Sequence, residues 1–395
     1  MRIGILAPFN PSALSSYLDD KYRVDVQTIN VSASSVNNVV KSLVDSGHEV
    51  WVFTVGSYKM QYNGERLHVH VVEGARWNRI FPDLRKLASK IRHELDNYVS
   101  GLDVLHAHWC YEYALAASVY SNNKPVFCTI RDWAPVIYSQ ISIRKRLRNI
   151  LFKVYWKYKI KIFQAVLSER SIHFIANSEY TAELFRQEYP DREINIIYNS
   201  IEDEIIVPKP VIHDKYFISI AMSLDDGRKN IKTLLRAFSK LGKEFEDYRL
   251  ILIGNYHPSG DAYKFANELG VSDKIVFTGI KTRTEIISLI DKSFCMVHPA
   301  FEETFGNILI EAMARGVIVI GGTHSGAVPY VLQHGEAGVL CDVNYAEEIR
   351  DAMVKVIKDK DYRDNIVKNA LKKVSEFSNS NIAEKHWNLY SSVMK

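Results

Sequence analysis

The sequence predicts an α/β protein of two domains, each a doubly wound parallel sheet, with the carboxyl ends of the two sheets facing a cleft. Three observations predict it. The chain has 395 residues, more than one ordinary hydrophobic core serves. Short apolar runs alternate with longer amphipathic stretches throughout, the pattern of strands joined by crossover helices. Two series of such runs are separated by Glu202-Asp203-Glu204-Ile205-Ile206-Val207-Pro208-Lys209-Pro210, whose prolines and acidic cluster mark a linker. The domains are therefore placed at 1–205 and 212–375. Ligands of such folds bind outside the carboxyl ends of the strands.

The first series of strands is Ile3–Ala7, Glu49–Thr54, Val104–His106, Val126–Thr129, His173–Ala176 and Ile194–Ile197. The second is Tyr216–Ala221, Arg249–Ile253, Ile275–Phe277, Cys295–His298 and Val317–Ile320. The opening run Met1–Ala7, ended by Pro8, is too short for the apolar core of a signal peptide and reads as a first buried strand. No run reaches about 18 uninterrupted apolar residues, so no membrane-spanning helix is expected. The composition, 47% hydrophobic and 24% charged, is that of an ordinary globular protein, and a net charge of +4 does not by itself argue for nucleic acid. Cys110, Cys128, Cys295 and Cys341 are far apart and lack C-x-x-C or zinc spacing. Cys295, inside an apolar run, reads as a reduced buried thiol, and a cytoplasmic location fits. The acidic pairs Asp19-Asp20, Asp225-Asp226 and Glu302-Glu303 have no companion His and no D-x-D spacing, so no metal is expected.

The most informative stretch is Pro299-Ala300-Phe301-Glu302-Glu303-Thr304-Phe305-Gly306-Asn307-Ile308-Leu309-Ile310-Glu311-Ala312-Met313-Ala314. Ile308-Leu309-Ile310 followed by Glu-Ala-Met-Ala reads as a buried helix, with Gly306-Asn307 at its N-terminal end. Glu303 then lies in the loop before the helix and Glu311 about one turn inside it. A helix N-terminus offers free N–H groups and partial positive charge, so it attracts phosphate. Carboxylates flanking it suit a ligand with hydroxyls on both sides of a phosphate, as in a nucleotide-sugar.

This stretch resembles the E-x7-E signature of the retaining glycosyltransferases of the GT-B fold, in particular family 4. The usual form, E-x-F-G-x-x-x-x-E-A-M-A, is matched without a gap, and the small-residue run Gly316, Gly321-Gly322 and Ser325-Gly326 follows. Weaker similarities extend over most of the chain: Ser46-Gly47-His48-Glu49-Val50, Leu105-His106-Ala107-His108, Ile175–Tyr180, Ile197–Ile201, Arg228-Lys229-Asn230-Ile231 and Phe277-Thr278-Gly279. The resemblance implies two Rossmann-like domains: an acceptor-side domain, 1–205, closed by a C-terminal helix, 380–395, and a donor-binding domain, 212–375. It implies transfer of a hexosyl unit, with retention, from a UDP- or GDP-linked sugar to an acceptor hydroxyl on a glycan or lipid-linked molecule, without metal or other cofactor. Glu311 is expected to accept hydrogen bonds from the ribose. Glu303 would face the transferred sugar. Phe305, Gly306 and Asn307 would lend backbone N–H groups, Gly306 letting the backbone come close, and the base would lie near Gly279 and Gly254.

Arg228 and Lys229 follow the first strand of the second domain and the turn Asp225-Asp226-Gly227. Cations there would neutralise the leaving diphosphate, usually the largest single catalytic contribution. The family often carries a further Arg near Ser223; if Ser223 occupies that place, Arg228 or Lys229 supplies both cations. On the acceptor side, Thr129-Ile130-Arg131-Asp132-Trp133 falls where many members carry a His-Asp pair, with Arg131 where His is usual. Arginine cannot act as a base at neutral pH. Asp132 or His108 takes that role, or the leaving phosphate itself accepts the proton. The family's Gly-Gly loop falls near Asn30-Val31 here, and Asn10–Gln27 is an insertion to which the sequence assigns no role.

Tyr138–Ser168 holds eight Lys/Arg (Arg144, Lys145, Arg146, Arg148, Lys153, Lys157, Lys159, Lys161), no acid, and interleaved aromatics. A solvated helix packed on its own sheet and a peripheral contact with an anionic membrane at its inner face are both open readings of 138–168. No nucleic-acid partner is expected, because no reading motif accompanies the charge. Two rivals keep the two-domain shape: a non-catalytic nucleotide-sugar-binding subunit, and a sugar-nucleotide epimerase.

Overall fold

The computed structural model describes every residue except 24, 25, 27, 28, 30–33, 75–80, 142–146, 208–213 and 395, and all described side chains except those of 147–149. The positions matched to the Gly-Gly loop, part of the 10–27 insertion, and the two linker prolines therefore lie outside the described residues. The chain forms two compact units, Met1–Ser200 with Asn379–Lys395, and Ile201–Ser378.

The first unit is built on strands β1 (Arg2–Leu6), β2 (Glu49–Gly56), β3 (Met60–Asn63), β4 (Leu67–Glu73), β5 (Val104–His108), β6 (Val126–Ile130), β7 (Ile172–Ala176) and β8 (Asn195–Ile196). Their order in the sheet is β3-β4-β2-β1-β5-β6-β7-β8. Every pairing is parallel except that of β3 with β4. Parallel neighbours need crossover helices, which cover the faces of the sheet, so its central strands read as unbroken apolar runs. All five residues of β6, Val-Phe-Cys-Thr-Ile, are buried. The β3–β4 hairpin is the departure from the sequence expectation. Its strands carry Gln61, Asn63, His68 and His70 among the apolar residues, so neither reads as an apolar run.

The helix Asn379–Val393 belongs to this unit. The hydroxyl of Tyr390 lies 2.6 Å from His106 Nδ1 on β5, and Trp387 stacks on His48 with ring centroids 4.9 Å apart.

The second unit has β9 (Tyr216–Ser223), β10 (Arg249–Asn255), β11 (Ile275–Gly279), β12 (Cys295–His298), β13 (Ile318–Gly322) and β14 (Val339–Cys341). All are parallel, in the order β11-β10-β9-β12-β13-β14. The strand order reverses between β9 and β12, and the loops leaving those two strands flank the crevice where such sheets bind ligands. One of these loops carries Arg228 and Lys229, the other Glu303.

Candidate functional site

The loop after β9 closes into a single turn, Gly227–Lys229, because Asp226 caps it: one carboxylate oxygen accepts from the Arg228 N–H at 3.0 Å. The same carboxylate holds the Arg228 guanidinium, with Nη2 2.7 Å from Oδ2. Asn230, in the left-handed region at φ 55°, starts the next helix, and its Nδ2 donates to the Val343 carbonyl at 2.7 Å. The Arg228 carbonyl accepts from the Phe301 N–H at 3.0 Å, tying this loop to the one after β12.

That second loop is pinned twice more. Ser325 Oγ donates to the Ala300 carbonyl at 2.6 Å, and the Ala327 N–H donates to the Glu303 carbonyl at 2.8 Å. The Glu303 carboxylate thereby meets the Lys229 ammonium at 2.8 Å, while His298 Nε2, from the end of β12, lies 3.3 Å from the same oxygen. Burial alone would raise the pKa of Glu303; Lys229 and His298 outweigh it and hold the carboxylate at about 2. Lys229 and Glu303 thus form a charged, partly exposed pair at the reversal point of the sheet, with the buried His298 ring beside it.

Gly306 has φ 89° and opens the helix Asn307–Ala314. A Cβ there would stand 2.8 Å from Leu309 Cδ1 and 3.2 Å from Glu303 Cγ, so the residue sets both the backbone turn and the room beside Glu303. Phe305 is buried, its ring edge-on to Phe377 with centroids 5.5 Å apart. Glu311 lies inside the helix, its side chain largely buried, with Arg283 Nη2 at 3.3 Å. Burial raises its pKa, Arg283 pulls it down and Glu202 pushes it up; the balance stays above the ordinary carboxylate value. Arg283 also reaches Glu202 at 3.3 Å. At the far side of the sheet's carboxyl edge, Gly254 has φ 148° and a Cβ there would strike the Ala221 carbonyl oxygen at 2.0 Å. Gly279 has φ 75° with no atom within 4 Å of that direction, leaving open space beside it.

In the first unit, His108 and Arg131 stand at the ends of β5 and β6. His108 is fully buried, and its Nδ1 accepts from Arg131 Nε at 3.1 Å, with Arg131 Nη2 at 3.0 Å. Burial lowers Arg131 to about 9, which keeps it charged at neutral pH. A donor at Nδ1 fixes the proton of the neutral ring on Nε2, and burial with His106 and Arg131 nearby holds His108 well below the ordinary histidine value. Arg131 Nη1 also donates to Asn199 Oδ1 at 2.6 Å. Asp132 accepts from the Tyr111 hydroxyl at 2.9 Å. Burial raises its pKa while Lys159 and Tyr111 lower it, leaving it above the ordinary value. The Lys159 ammonium is seated over the rings of Tyr111 and Trp156, 3.9 and 4.1 Å from their centroids. Among the described residues, no group of three His, Cys, Asp or Glu side chains is arranged to hold a metal ion.

Residues 32–205 match the model described as Glycosyltransferase Family 4, and residues 202–373 that described as Glycosyl transferases group 1. The chain belongs to the family 4 glycosyltransferases. Over 371 residues it is 25% identical to N-acetyl-alpha-D-glucosaminyl L-malate synthase of Bacillus anthracis, a match covering 90% of this chain and 92% of that one. Sucrose-phosphate synthase from Thermosynechococcus elongatus shares the fold with a TM-score of 0.78 at 16% identity, over 100% of this chain and 99% of that one. HepE from Anabaena, solved in complex with UDP, gives 0.71 at 17% identity, over 99% and 100%. This glycosyltransferase therefore has the GT-B fold, and its activity is glycosyl transfer.

The structure brings Glu303 and Lys229 together and places Arg228 on the same turn as Lys229. Glu311 faces Arg283 instead. Sequence reasoning passed over several partners in this glycosyltransferase: His298, Asp226, Arg283, Asn199 and Tyr111. His298 had a signal, since it closes an apolar strand just before Pro299 as His108 closes β5. Asn199 lies in the family-like segment Ile197–Ile201, though nothing there points to Arg131, and Arg283 had no signal, being far in sequence from the groups it touches.

Proposed function

We propose that this glycosyltransferase moves a hexosyl unit, with retention, from a uridine- or guanosine-diphosphate sugar to an acceptor hydroxyl on a glycan or lipid-linked molecule. Residues 212–375 act as the donor side, and residues 1–205 with helix 380–395 as the acceptor side. The observation that carries the reading is the Lys229–Glu303–His298 cluster at the sheet reversal, beside the N-terminus of the helix that holds Glu311. Arg228 and Lys229 take the diphosphate and stabilise it as it leaves. The backbone N–H groups around Phe305, Gly306 and Asn307 assist. Glu303, released from Lys229 by the phosphate, faces the sugar ring, and Glu311 accepts from the ribose. The base lies beside Gly279, where the surface is open, with Gly254 behind it. The UDP bound to HepE favours uridine.

The proton goes to the leaving phosphate on the same face. Two observations support this over a side-chain base. His108 spends Nδ1 on Arg131, leaving an N–H at its other nitrogen, and Asp132 is occupied by Tyr111. The reaction requires no metal or other cofactor in this scheme. The enzyme works in the cytoplasm, in contact with an anionic membrane through residues 138–168, where a lipid-linked acceptor is at hand.

The test is nucleotide affinity against turnover, with the donor first found by thermal shift across UDP- and GDP-sugars, since a ligand at a hundred times its Kd stabilises by about 2.7 kcal/mol. Glu311→Ala should weaken nucleotide-diphosphate binding, and Glu303→Ala should leave it nearly intact while turnover falls. Equal loss of nucleotide affinity in both variants would overturn this division of roles.

A further inference from the structure

The helix Leu147–Leu167 is 21 residues long, and its inner face is spoken for. Trp156, Ile162, Phe163 and Val166 are buried in the core of the first unit, while Phe152, its ring centroid 6.2 Å from that of Trp156, is 40% exposed at the edge of that face. The outer face follows from helical spacing. Residues 150, 154, 157 and 161 recur every three or four positions and share one stripe. Its first two members are apolar and far from buried: Ile150 is 49% exposed and Val154 60%, with Leu151 beside them at 49%. Its next two, Lys157 and Lys161, are exposed cations. Single exposed apolar side chains are ordinary, but three within five residues on one outward face form a patch.

We propose that this stripe is a membrane wedge: Ile150, Leu151 and Val154 enter the acyl boundary of an anionic bilayer while Lys157 and Lys161 engage its headgroups. The proposal rests on the membrane contact of the preceding section and adds to it an apolar, inserted part. The occupant follows from charge. Besides Lys159, which is turned inward over Tyr111 and Trp156, the chain from Tyr138 to Ser168 has seven Lys/Arg and no acid, so the covering surface is negative and must also offer an apolar interior. An anionic bilayer has both. Lysine stems can lie along apolar surface with their ammonium groups raised to the headgroups, which suits a stripe that is apolar in its first turns and cationic in its next two. Among the described residues no helix is long and apolar enough to cross a membrane, and the wedge needs no crossing.

Insertion and simple charge attraction differ in their response to salt. Exposed charges are largely screened above a few hundred millimolar salt, whereas apolar burial is not. The test uses the full chain and sedimented vesicles of phosphatidylcholine with about one-third phosphatidylserine, at about 50 mM and about 500 mM salt. The wild type should bind strongly at low salt and keep a measurable part at high salt. Ile150→Ser/Leu151→Ser/Val154→Ser should lose the salt-resistant part and bind roughly a hundredfold more weakly. Lys157→Glu/Lys161→Glu should lose at least about tenfold at low salt only. UDP affinity is measured on every variant. Unchanged UDP affinity with changed vesicle binding supports the wedge, and absent UDP binding with vesicle binding intact would overturn the donor reading alone. A wild type that ignores the vesicles at low salt, or is fully released at high salt, overturns the wedge. So does a triple variant that binds like wild type. A wild type that ignores vesicles and is dimeric, with a monomeric triple variant, assigns the stripe to a second copy of the chain and also overturns it.

Discussion

The pairing of Lys229 with Glu303 should be measurable as a coupling energy with a defined dependence on pH. The carboxylate titrates at about 2 instead of 4.5, and each unit is 1.36 kcal/mol, so the charged form is favoured by about 3 kcal/mol on folding. Both side chains are about three-quarters shielded from solvent. Lys229 makes the largest single stabilising contribution and His298 adds to it, and a partly shielded, hydrogen-bonded ion pair of this kind contributes on the order of 1–2 kcal/mol. A cycle of Lys229→Met, Glu303→Gln and the double variant isolates the pair. The sign is that of a depressed acid: the contribution is present above the unfolded value near 4.5 and is lost as pH falls toward the folded value near 2. About six-tenths of it should remain at pH 3.5. The assay is urea unfolding by two probes. All six tryptophans (Trp51, Trp77, Trp109, Trp133, Trp156, Trp387) fall within the first unit and none within Ile201–Ser378, so fluorescence follows the first unit alone while circular dichroism follows both. The coupling should show only in the transition that fluorescence does not see. A coupling below about 0.5 kcal/mol at pH 7, within the scatter of independent sites, or one that does not change between pH 7 and 3.5, would refute the ion-pair account of Glu303.

Other expectations follow from the same geometry. Gly254→Ala places a Cβ 2.0 Å from a backbone oxygen and should cost more than about 3 kcal/mol or abolish folding of the second unit, whereas Gly279→Ala, with open space, should cost only the backbone strain of about 1–2 kcal/mol; comparable unfolding midpoints would contradict the close-approach argument. Arg315 is buried against Asp291, with Nε 2.6 Å from Oδ1, so Asp291→Ala should lower stability by about 3–5 kcal/mol by stranding the guanidinium, read as a shifted circular-dichroism midpoint. Burial first, with Arg131 and the adjoining rings adding to it, holds His106 and His108 well below the usual histidine value and His386 at about 3. Their folded forms resist protonation, so stability should fall as pH drops below about 6.5, by up to about 1.4 kcal/mol per pH unit for each ring. His386→Leu should reduce that slope in the fluorescence-detected transition.

The readable parts of the sequence were those where one local pattern carries one physical consequence. The strands β1, β6, β7 and β12 are short, mostly apolar runs with at most one strongly polar residue each, and each lies near its expected place. The helix after Gly306 begins where a glycine at positive φ precedes an apolar run, with Glu311 one turn inside it. The strand β4 was not legible because His68 and His70 interrupt its apolar positions; in the fold, His70 is paired with Glu94 at 3.2 Å, a partner 24 residues away. Short β14 has three residues, below what periodicity can detect. The site divided in the same way. Glu303 and Lys229 were named from their motifs, but their mutual contact spans 74 positions and depends on the parallel placement of β9 beside β12. Arg131 was seen as a departure from an expected histidine, while its seat between His108 and Asn199 was set by three strands coming together.

The side-by-side entry and exit of the second unit bears on how the chain leaves the ribosome. The Ile201 N–H donates to the Phe377 carbonyl at 2.8 Å, and Ile201 bridges Ser378, so the second unit begins and ends at one point and all its strands are synthesised consecutively. It can complete its core during translation. The first unit cannot: residues 1–200 are made before Ile382 and Tyr390, which pack into the core beside β1 and β2. Until helix Asn379–Val393 is made, the apolar groove that receives it stays open and His106 lacks its Tyr390 partner. The earlier-made half of the protein is thus the later to finish, and it is the half that nascent-chain chaperones should hold longest.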